Sequence, residues 1–394
     1  MTTIHIICTR PGMVSTGGEW NLIHTRNKIL KNYYGIDIQM TMILSSEQIT
    51  YRPIHFETAG YPIDIIKCSD RRFSITKAVI KYFQDATTEE SKIILFSGRD
   101  FAMFPTKSFK KFKGLLLIDI HGEIAEMYEQ TNKTRYLWDR LREKVFRYFE
   151  KKLLAESNGA LVVSQYSENY IKRCNPNANV LKVPCASNTE YSFENYLLNR
   201  EKWRYEFGFN KNDIVVVYSG SDHSYQCVNE HIDFMAECIK KNSNTKALIL
   251  SNKVDLIKSK YVNNRTIPLE KFVFASLKSD EVTDALCAAD IGLLLRKQSL
   301  TNLAAFPNKF DEYLASGLKV ITSIALPDTA SIIKKHPIIG FLADYDKANH
   351  LIDTIFERFY ENHPLTLAVF NEIQNIRKSY SMKITLSDLI PLLK

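Results

Sequence analysis

The sequence predicts an α/β protein made of two consecutive units, each a doubly wound parallel sheet. The chain of 394 residues is too long for one ordinary core, and its 45% content of hydrophobic residues is sufficient for two. Apolar runs of strand length alternate with longer segments of helical periodicity. These runs are nearly continuous, which is typical of strands that are buried on both faces of a parallel sheet.

The strand-length runs form two series, one in each half of the chain. The first series predicts strands at Ile4–Cys8, Ile38–Met42, Ile63–Lys67, Ile93–Ser97, Leu115–Ile120, Ala160–Ser164 and Val180–Val183. The second series predicts strands at Ile214–Ser219, Ala247–Ser251, Phe272–Ala275, Ile291–Leu295 and Lys319–Ser323. A polar stretch without strand character separates the two series. We therefore expect an N-terminal domain at 1–185, a linker at 186–212, a C-terminal domain at 213–369, and a helical segment at 370–394 that is able to return to the N-terminal domain.

Composition and charge exclude several classes of protein. Seven cysteines occur without a C-x-x-C pair, and MTTIHIICTR at the N-terminus lacks a basic segment before a long apolar one. These features predict a cytoplasmic protein without structural zinc. No run reaches the ~18 apolar residues of a membrane span. The net charge of +8 favours an anionic neighbour. The late Asp344-Tyr345-Asp346 is predicted to be a turn, so no metal site is expected.

The stretch 306-FPNKFDEYLASGLKVITS-323 contains the strongest candidate site. Pro307 suits the first position of a helix, and Phe306 before it is a poor N-cap, so the first N–H groups of the helix lack a side-chain acceptor. Such a helix start suits a phosphate, and Lys309 adds a positive charge there. Glu312 lies three residues further on the same face, where its carboxylate could accept hydrogen bonds from two vicinal hydroxyls. On spacing alone, an ordinary surface ion pair is an equal alternative.

The motif Pro-x-Lys-x-x-Glu-Tyr, which follows 285-ALCAADIGLLLRK-297, closely resembles the nucleotide-sugar site of group 1 (family 4) retaining glycosyltransferases. A looser likeness covers most of the chain, at Gly17-Gly18, 118-IDIHGEI-124, 162-VVSQYSENYI-171, 180-VLKVPCASN-188 and 215-VVVYSGS-221. The resemblance implies the GT-B fold, in which two Rossmann-like domains face each other across a cleft. It also implies a nucleotide diphosphate sugar as donor substrate and no further cofactor.

The same resemblance implies roles for particular residues. Glu312 would hold the ribose, Lys309 would lie beside the diphosphate, and His121 would face the transferred sugar. Arg296 is a further candidate for the diphosphate, and the remaining donor-side candidates are Gly17, Gly18, Ser219, Gly220, Asn302, Pro307 and Asn308. The chain departs from the family at three positions. Ala304 stands where a second glutamate is common, and Ser221 and Gln226 stand where an arginine and a lysine are common.

These observations predict a retaining glycosyltransferase that acts on a lipid-linked or polymeric acceptor in the synthesis of a cell-surface polysaccharide or glycolipid. A non-catalytic GT-B protein that binds a nucleotide sugar or a partner is the alternative, favoured by the three departures. A nucleic-acid partner is not expected, because the aromatic and basic residues match no such module. A dinucleotide oxidoreductase is disfavoured, since 9-TRPGMVSTGGEW-20 lacks the G-x-G-x-x-G spacing.

Two basic stretches lie in the N-terminal half. In 98-GRDFAMFPTKSFKKFKG-114, phenylalanines are interleaved with basic residues that include Lys107, Lys110, Lys111 and Lys113. This pattern suits a lipid headgroup surface, and predicts peripheral attachment to the inner membrane face near the acceptor. The helix within 133–154 carries a stripe of Leu137, Leu141, Val145, Phe149 and Leu153. For this helix, the preferred interpretation is an apolar face packed in the core with a solvated charged face.

Overall fold

The computed structural model describes residues 2–9, 18–45, 59–69, 72–85, 92–97, 110–122, 136–186, 189–263, 267–361 and 364–393. The chain forms two compact units. The first consists of Met1–Cys185 together with Ser381–Lys394, and the second consists of Ala186–Tyr380. Among the described residues, no helix is both long enough and apolar enough to cross a bilayer.

The first unit is built on a parallel sheet of seven strands in the order β3-β2-β1-β4-β5-β6-β7. The strands are β1 Thr3–Thr9, β2 Asp37–Ser45, β3 Ile63–Cys68, β4 Ile93–Ser97, β5 Leu115–Ile120, β6 Gly159–Val162 and β7 Asn179–Lys182. The helices are α1 Gly18–Asn32, α2 Arg72–Asp85, α3 Tyr136–Glu156 and α4 Gln165–Cys174. The C-terminal residues add a short helix, Met382–Thr385, and a 3₁₀ segment, Leu386–Leu393. The strand order reverses between β1 and β4, and open α/β sheets bind ligands beyond the carboxyl ends of strands at such a point.

The second unit repeats this design with a parallel sheet of six strands in the order β10-β9-β8-β11-β12-β13. The strands are β8 Ile214–Ser219, β9 Thr245–Leu250, β10 Phe272–Ala275, β11 Ile291–Leu294, β12 Lys319–Ser323 and β13 Gly340–Ala343. The helices are α5 Phe193–Glu206, α6 Val228–Lys241, α7 Val254–Tyr261, α8 Val282–Leu286, α9 Leu300–Leu303, α10 Asn308–Ala315, α11 Pro327–Lys335, α12 Ile352–Tyr360 and α13 Leu367–Lys378. Strands β8, β11 and β12 are fully buried, as their continuous apolar sequences require.

Helix α5 lies within the segment expected as a linker and packs on the second unit. Ser192 caps its N-terminus by accepting from the N–H of Asn195 at 3.1 Å. Further along, Arg200 and Arg204 both bind the carboxylate of Asp290, at 2.5 and 2.9 Å. Because all three of these charged side chains are largely buried and mutually paired, they fix α5 to the start of β11.

The core-packed interpretation of the basic helix is wrong for most of its apolar stripe. Leu137, Leu141 and Val145 of α3 are exposed, and only Leu153 is fully buried. The face turned inward at the start of α3 instead carries acidic residues, among them Glu143, which is bonded to Arg147 at 2.9 Å. Helical periodicity groups the apolar residues on one side but does not reveal which side faces the sheet.

Candidate functional site

Helix α10 begins immediately after Pro307. Pro307 has an extended backbone, with φ −67° and ψ 128°, and its carbonyl accepts from the N–H of Phe310 at 3.0 Å. Pro307 is therefore the N-cap residue, and the helix begins at Asn308, one residue later than the sequence predicted. A proline side chain has no acceptor, so the N–H groups at the start of the helix donate no hydrogen bond to the N-cap side chain.

Lys309 and Glu312 form an ion pair on the first turns of α10. The Lys309 Nζ lies 2.6 Å from Glu312 Oε2, and the two side chains are 27% and 18% exposed. The pair is thus partly buried, with both charged groups close to the uncapped helix start. The contact shows that the two side chains share one helix face, as the spacing predicted, and the choice between an ordinary ion pair and a ligand site stays a prediction.

Tyr313 connects α10 to the carboxyl ends of two strands. Its hydroxyl accepts from the N–H of Ser219 at 2.9 Å and lies 3.4 Å from the carbonyl oxygen of Leu293. The side chain is buried, and burial raises the pKa of its phenol. A Cβ at Gly292 would lie within 3 Å of the Tyr313 ring, so the glycine makes room for this contact. Tyr313 therefore sets the position of Lys309 and Glu312 relative to the sheet.

The candidates Ser219 and Gly220 are committed to internal hydrogen bonds. Ser219 is buried and gives its N–H to Tyr313, while Gly220 donates its N–H to the carbonyl of Leu250 at 3.0 Å. These two N–H groups hold the end of β8 in place. Any contact of this turn with a donor would have to use other groups.

Arg296 reaches from the end of β11 to the loop that follows β8. Its guanidinium donates to the carbonyl of Tyr225 at 3.1 Å and lies 3.4 Å from the side-chain oxygen of Gln226. Gln226 in turn donates to the Ser221 hydroxyl at 2.8 Å. Within the described part of the chain, the buried Nε of Arg296 has no hydrogen-bond partner. Arg296 thus brings a cation to the loop that contains Ser221 and Gln226. At these two positions the group 1 glycosyltransferases commonly have an arginine and a lysine.

Asn302 on α9 closes the same loop from the other side. Its amide donates to the carbonyl of Lys297 at 2.8 Å and to that of Tyr225 at 3.3 Å, and the residue is buried. Ala304 is also buried, so this position offers no side chain to a ligand. Arg296 and Asn302 therefore meet at the carbonyl of Tyr225 in the loop after β8.

His231 was not among the sequence candidates, although it supports this loop. Its Nε2 accepts from the N–H of Leu295 at 2.9 Å, and its Nδ1 lies 2.7 Å from the carbonyl oxygen of Cys227. Burial, with a smaller effect from Arg296, lowers the pKa of His231 to about 3. Cys227 has a left-handed backbone, with φ 54°. The available signal was the spacing of four residues between Cys227 and His231 at a helix start.

In the first unit, His121 belongs to a buried charged cluster after β5. Its Nε2 lies 2.7 Å from Asp119 Oδ1, and Asp119 accepts two hydrogen bonds from the guanidinium of Arg26 on α1, at 2.8 and 2.5 Å. Burial opposes ionisation of Asp119, but Arg26 and His121 outweigh it and hold the pKa of this carboxyl well below its usual range. Sequence reasoning selected His121 in the segment 118-IDIHGEI-124, which also contains Asp119, but gave no role to Asp119 and did not select Arg26. The sequence feature that could have revealed Asp119 is a single charged residue in an otherwise apolar strand.

The remaining candidates lie in the first unit. Gly18 begins α1, whereas Gly17 and Lys107 lie outside the described residues. Lys110, Lys111 and Lys113 are exposed. Lys110 forms an ion pair of 3.1 Å with Glu156 at the end of α3.

Two parallel-sheet units of this topology define a GT-B protein, and comparison with solved structures confirms this fold. HepE from Anabaena in complex with UDP-glucose superposes with a TM-score of 0.69 at 14% identity, over 100% of this chain and 99% of HepE. A glycosyltransferase from Rickettsia africae gives 0.66 at 14% identity, over 100% and 98% of the two chains. WaaG, a glycosyltransferase involved in lipopolysaccharide biosynthesis, gives 0.63 at 14% identity, over 98% and 99%. No family model and no curated protein matches the chain.

Proposed function

We propose that the protein is a retaining glycosyltransferase that moves a sugar from a nucleotide diphosphate sugar to a lipid-linked or polymeric acceptor. The observation that carries this proposal is the partly buried Lys309–Glu312 pair at an uncapped helix start, in a sheet edge suited to ligands. The likeness to HepE, which was solved with UDP-glucose, supports a nucleotide-sugar donor.

In this proposal the donor diphosphate lies at the N-terminus of α10. The N–H groups of Asn308 and Lys309 at this uncapped helix start and the ammonium of Lys309 would bind phosphate oxygens. Arg296, whose guanidinium is already held against the loop after β8, would supply a second cation. Glu312 would release Lys309 and accept from the ribose hydroxyls.

Retention of anomeric configuration implies that the acceptor attacks from the face that the phosphate leaves. The acceptor hydroxyl would then pass its proton to the departing diphosphate oxygen while the new glycosidic bond forms. The protein would orient both substrates and stabilise the negative charge that develops on the diphosphate. In the first unit, the ionised Asp119 would hold His121 in one orientation toward the sugar.

We also propose that the protein attaches to the inner membrane face, near a lipid-linked acceptor. Exposed Lys110, Lys111 and Lys113 would attract an anionic membrane surface, where each basic residue adds about 1 kcal/mol. The likeness to WaaG, which is involved in lipopolysaccharide biosynthesis, is consistent with a cell-surface glycan or glycolipid product on the inner membrane face.

The test is a panel of nucleotide sugars, scored for thermal stabilisation and for transfer or hydrolysis of the donor. A donor at 100 times its Kd should add about 2.7 kcal/mol to stability. Lys309→Ala and Glu312→Ala should each abolish most turnover and leave the fold intact. The matched control is the exposed surface pair Glu237–Lys240, also three residues apart, whose replacement by alanines should change neither property. Turnover near the wild-type rate in either site variant would rule out the assignment.

A non-catalytic GT-B protein is the second candidate. Ser221 and Gln226 bond to each other instead of presenting cations, and Ala304 is buried. A donor that stabilises the protein but is neither transferred nor hydrolysed, with any acceptor tried, would favour this candidate. Transfer by the wild type that is lost in Arg296→Met would favour the enzyme.

A further inference from the structure

Helix α3 exposes a row of large apolar side chains to solvent. They are Leu137 at 82%, Trp138 at 72%, Leu141 at 53%, Val145 at 37% and Tyr148 at 54% exposure. Single exposed apolar residues are ordinary on protein surfaces. Five on one helix are different, because 3.6 residues per turn places them within an arc of roughly 100°. They form one continuous apolar surface, called the α3 ridge below.

Three of the four acidic residues of α3 point away from the ridge. Asp139, Glu143 and Glu150 are buried and fall on the opposite side of the helix. Two of them have partners there, since Glu143 binds Arg147 at 2.9 Å and Glu150 accepts from Tyr170 at 2.9 Å. The first three turns of the ridge are therefore free of exposed carboxylates from α3 itself.

Basic residues flank the ridge on both sides. The exposed members on α3 are Arg140, Arg142, Lys144, Lys151 and Lys152. The Lys152 ammonium lies 4.5 Å from the centre of the Tyr148 ring, which keeps a cation over the end of the ridge. At the C-terminal end of α3, the ion pair between Lys110 and Glu156 joins the ridge to the exposed lysines of 110–113. Apolar and cationic groups thus share one side of the first unit.

This combination fits an anionic lipid surface. Leucine and valine enter the acyl boundary, tryptophan and tyrosine prefer the headgroup level, and long basic side chains reach anionic headgroups from the flanks. A second copy of the chain would cover the apolar residues but would bring the same cations together, which is unfavourable. We propose that α3 lies in the plane of an anionic membrane with its ridge inserted. This deepens the localisation proposed above and does not depend on the transfer reaction.

The first experiment measures co-sedimentation with vesicles of phosphatidylglycerol and phosphatidylcholine, and with phosphatidylcholine alone. The wild type should bind the anionic vesicles and lose this binding at high salt. Trp138→Ser with Leu141→Ser should weaken binding about tenfold or more, and Arg142→Glu with Lys144→Glu should do the same. The matched controls are Leu197→Ser with Leu198→Ser, at 47% and 59% exposure, and Lys240→Glu with Lys241→Glu. Both controls should bind like the wild type.

The second experiment tests insertion directly. In a variant with Trp20→Phe and Trp203→Phe, Trp138 is the remaining tryptophan, and its emission should shift to shorter wavelength on anionic vesicles. Equal binding to phosphatidylcholine alone, no emission shift, or equal loss in the controls would overturn the proposal. Dimerisation without vesicles that buries Trp138 would also overturn it. Donor-induced thermal stabilisation, measured on the same variants, should be unchanged, which separates a failure here from a failure of the proposed reaction.

Discussion

At the scale of single residues, His231 shows how a buried titratable group supports the site. Its two ring nitrogens contact Leu295, which directly precedes Arg296, and Cys227, which ends the loop after β8. Because Nε2 accepts from an N–H, the ring is neutral and carries its proton on Nδ1, which donates to the Cys227 carbonyl. Tyr218 packs against the ring at 4.7 Å. Protonation would remove the acceptor and place a charge in the core.

This arrangement predicts a particular dependence of stability on pH. The pKa of His231 is lowered from 6.5 to about 3 in the folded protein, so between these values the unfolded chain binds more protons. The free energy of unfolding should therefore fall as the pH drops below about 6.5, by up to about 1.4 kcal/mol per pH unit, until about pH 3. His231→Gln, which keeps an acceptor for the Leu295 N–H, should lack this part of the slope.

Urea unfolding at a series of pH values from 4 to 8 provides the measurement. The control is His350→Gln, which replaces an exposed histidine and should retain the slope of the wild type. Parallel curves for the wild type and His231→Gln would show that the folded protein accepts the proton on this ring.

The site could be predicted from the sequence only where its residues are close along the chain. Lys309 and Glu312 were found because a three-residue spacing places them on one helix face. The pairing of Arg26 with Asp119 was missed because 93 residues separate them, and only the folded sheet brings α1 beside the end of β5. Short-range patterns carry no information about such pairs.

At the scale of elements, α13 anchors the helix that carries the candidate donor site. Arg377 on α13 binds the Asp311 carboxylate with Nε at 2.8 Å and with a terminal nitrogen at 3.1 Å. Gln374 donates to the carbonyl of Leu314 at 3.0 Å. Asp311 lies between Lys309 and Glu312 in the sequence and points inward, so α13 fixes which face of α10 is presented outward.

Breaking this anchor should be more harmful than replacing it. Arg377→Met leaves the carboxylate of Asp311 buried without its cation, which should cost about 3 to 5 kcal/mol of stability. The double variant Asp311→Leu with Arg377→Met should recover most of this loss, because no isolated charge remains. Hydrogen exchange along a urea series gives the unfolding free energy of the second unit separately.

The control for this cycle is Lys241→Met, which breaks an exposed pair with Asp353 and should cost less than about 1 kcal/mol. If the double variant is as unstable as Arg377→Met, the prediction is wrong. The ion pair would then stabilise the second unit by more than the neutralisation of two buried charges. Donor-induced stabilisation should be weaker in Arg377→Met, because α10 is no longer held in one orientation.

The positions of strands were more predictable from the sequence than the side of a helix that is buried. Each of the twelve strand-length runs overlaps an observed strand, because continuous apolar runs are a strong signal for buried parallel strands. The strand β13 was missed because it begins at Gly340, and a glycine weakens the strand signal in a sequence. The fold requires this glycine, since a Cβ there would collide with the Val320 carbonyl. The predicted orientation of α3 was wrong because its buried acidic face includes Glu150, which accepts from Tyr170 on α4, and that contact exists only in the folded unit.

At the scale of the whole molecule, the first unit is assembled from both ends of the chain. The boundary between units falls between Tyr380 and Ser381, and the residues after it belong with Met1–Cys185. Four apolar side chains of this returning segment are buried, namely Met382, Leu386, Leu389 and Leu393. The Tyr34 hydroxyl also donates to the carbonyl of Lys383. The C-terminus is therefore part of the core of the first unit.

Deletion of Ser381–Lys394 should consequently destabilise the first unit and spare the second. Each buried side chain contributes about 1.5 to 3 kcal/mol, so their combined loss is a large part of the stability of a typical domain. Amide hydrogens of β1, β4 and β5 should exchange faster in the truncated protein, whereas those of β8, β11 and β12 should keep their protection. Ile384→Ser, at an exposed position of the same segment, should change neither. Because the residues proposed to bind the diphosphate and the ribose lie within Ala186–Tyr380, a donor should still stabilise the truncated chain. Faster exchange confined to the second unit would contradict this division of the fold.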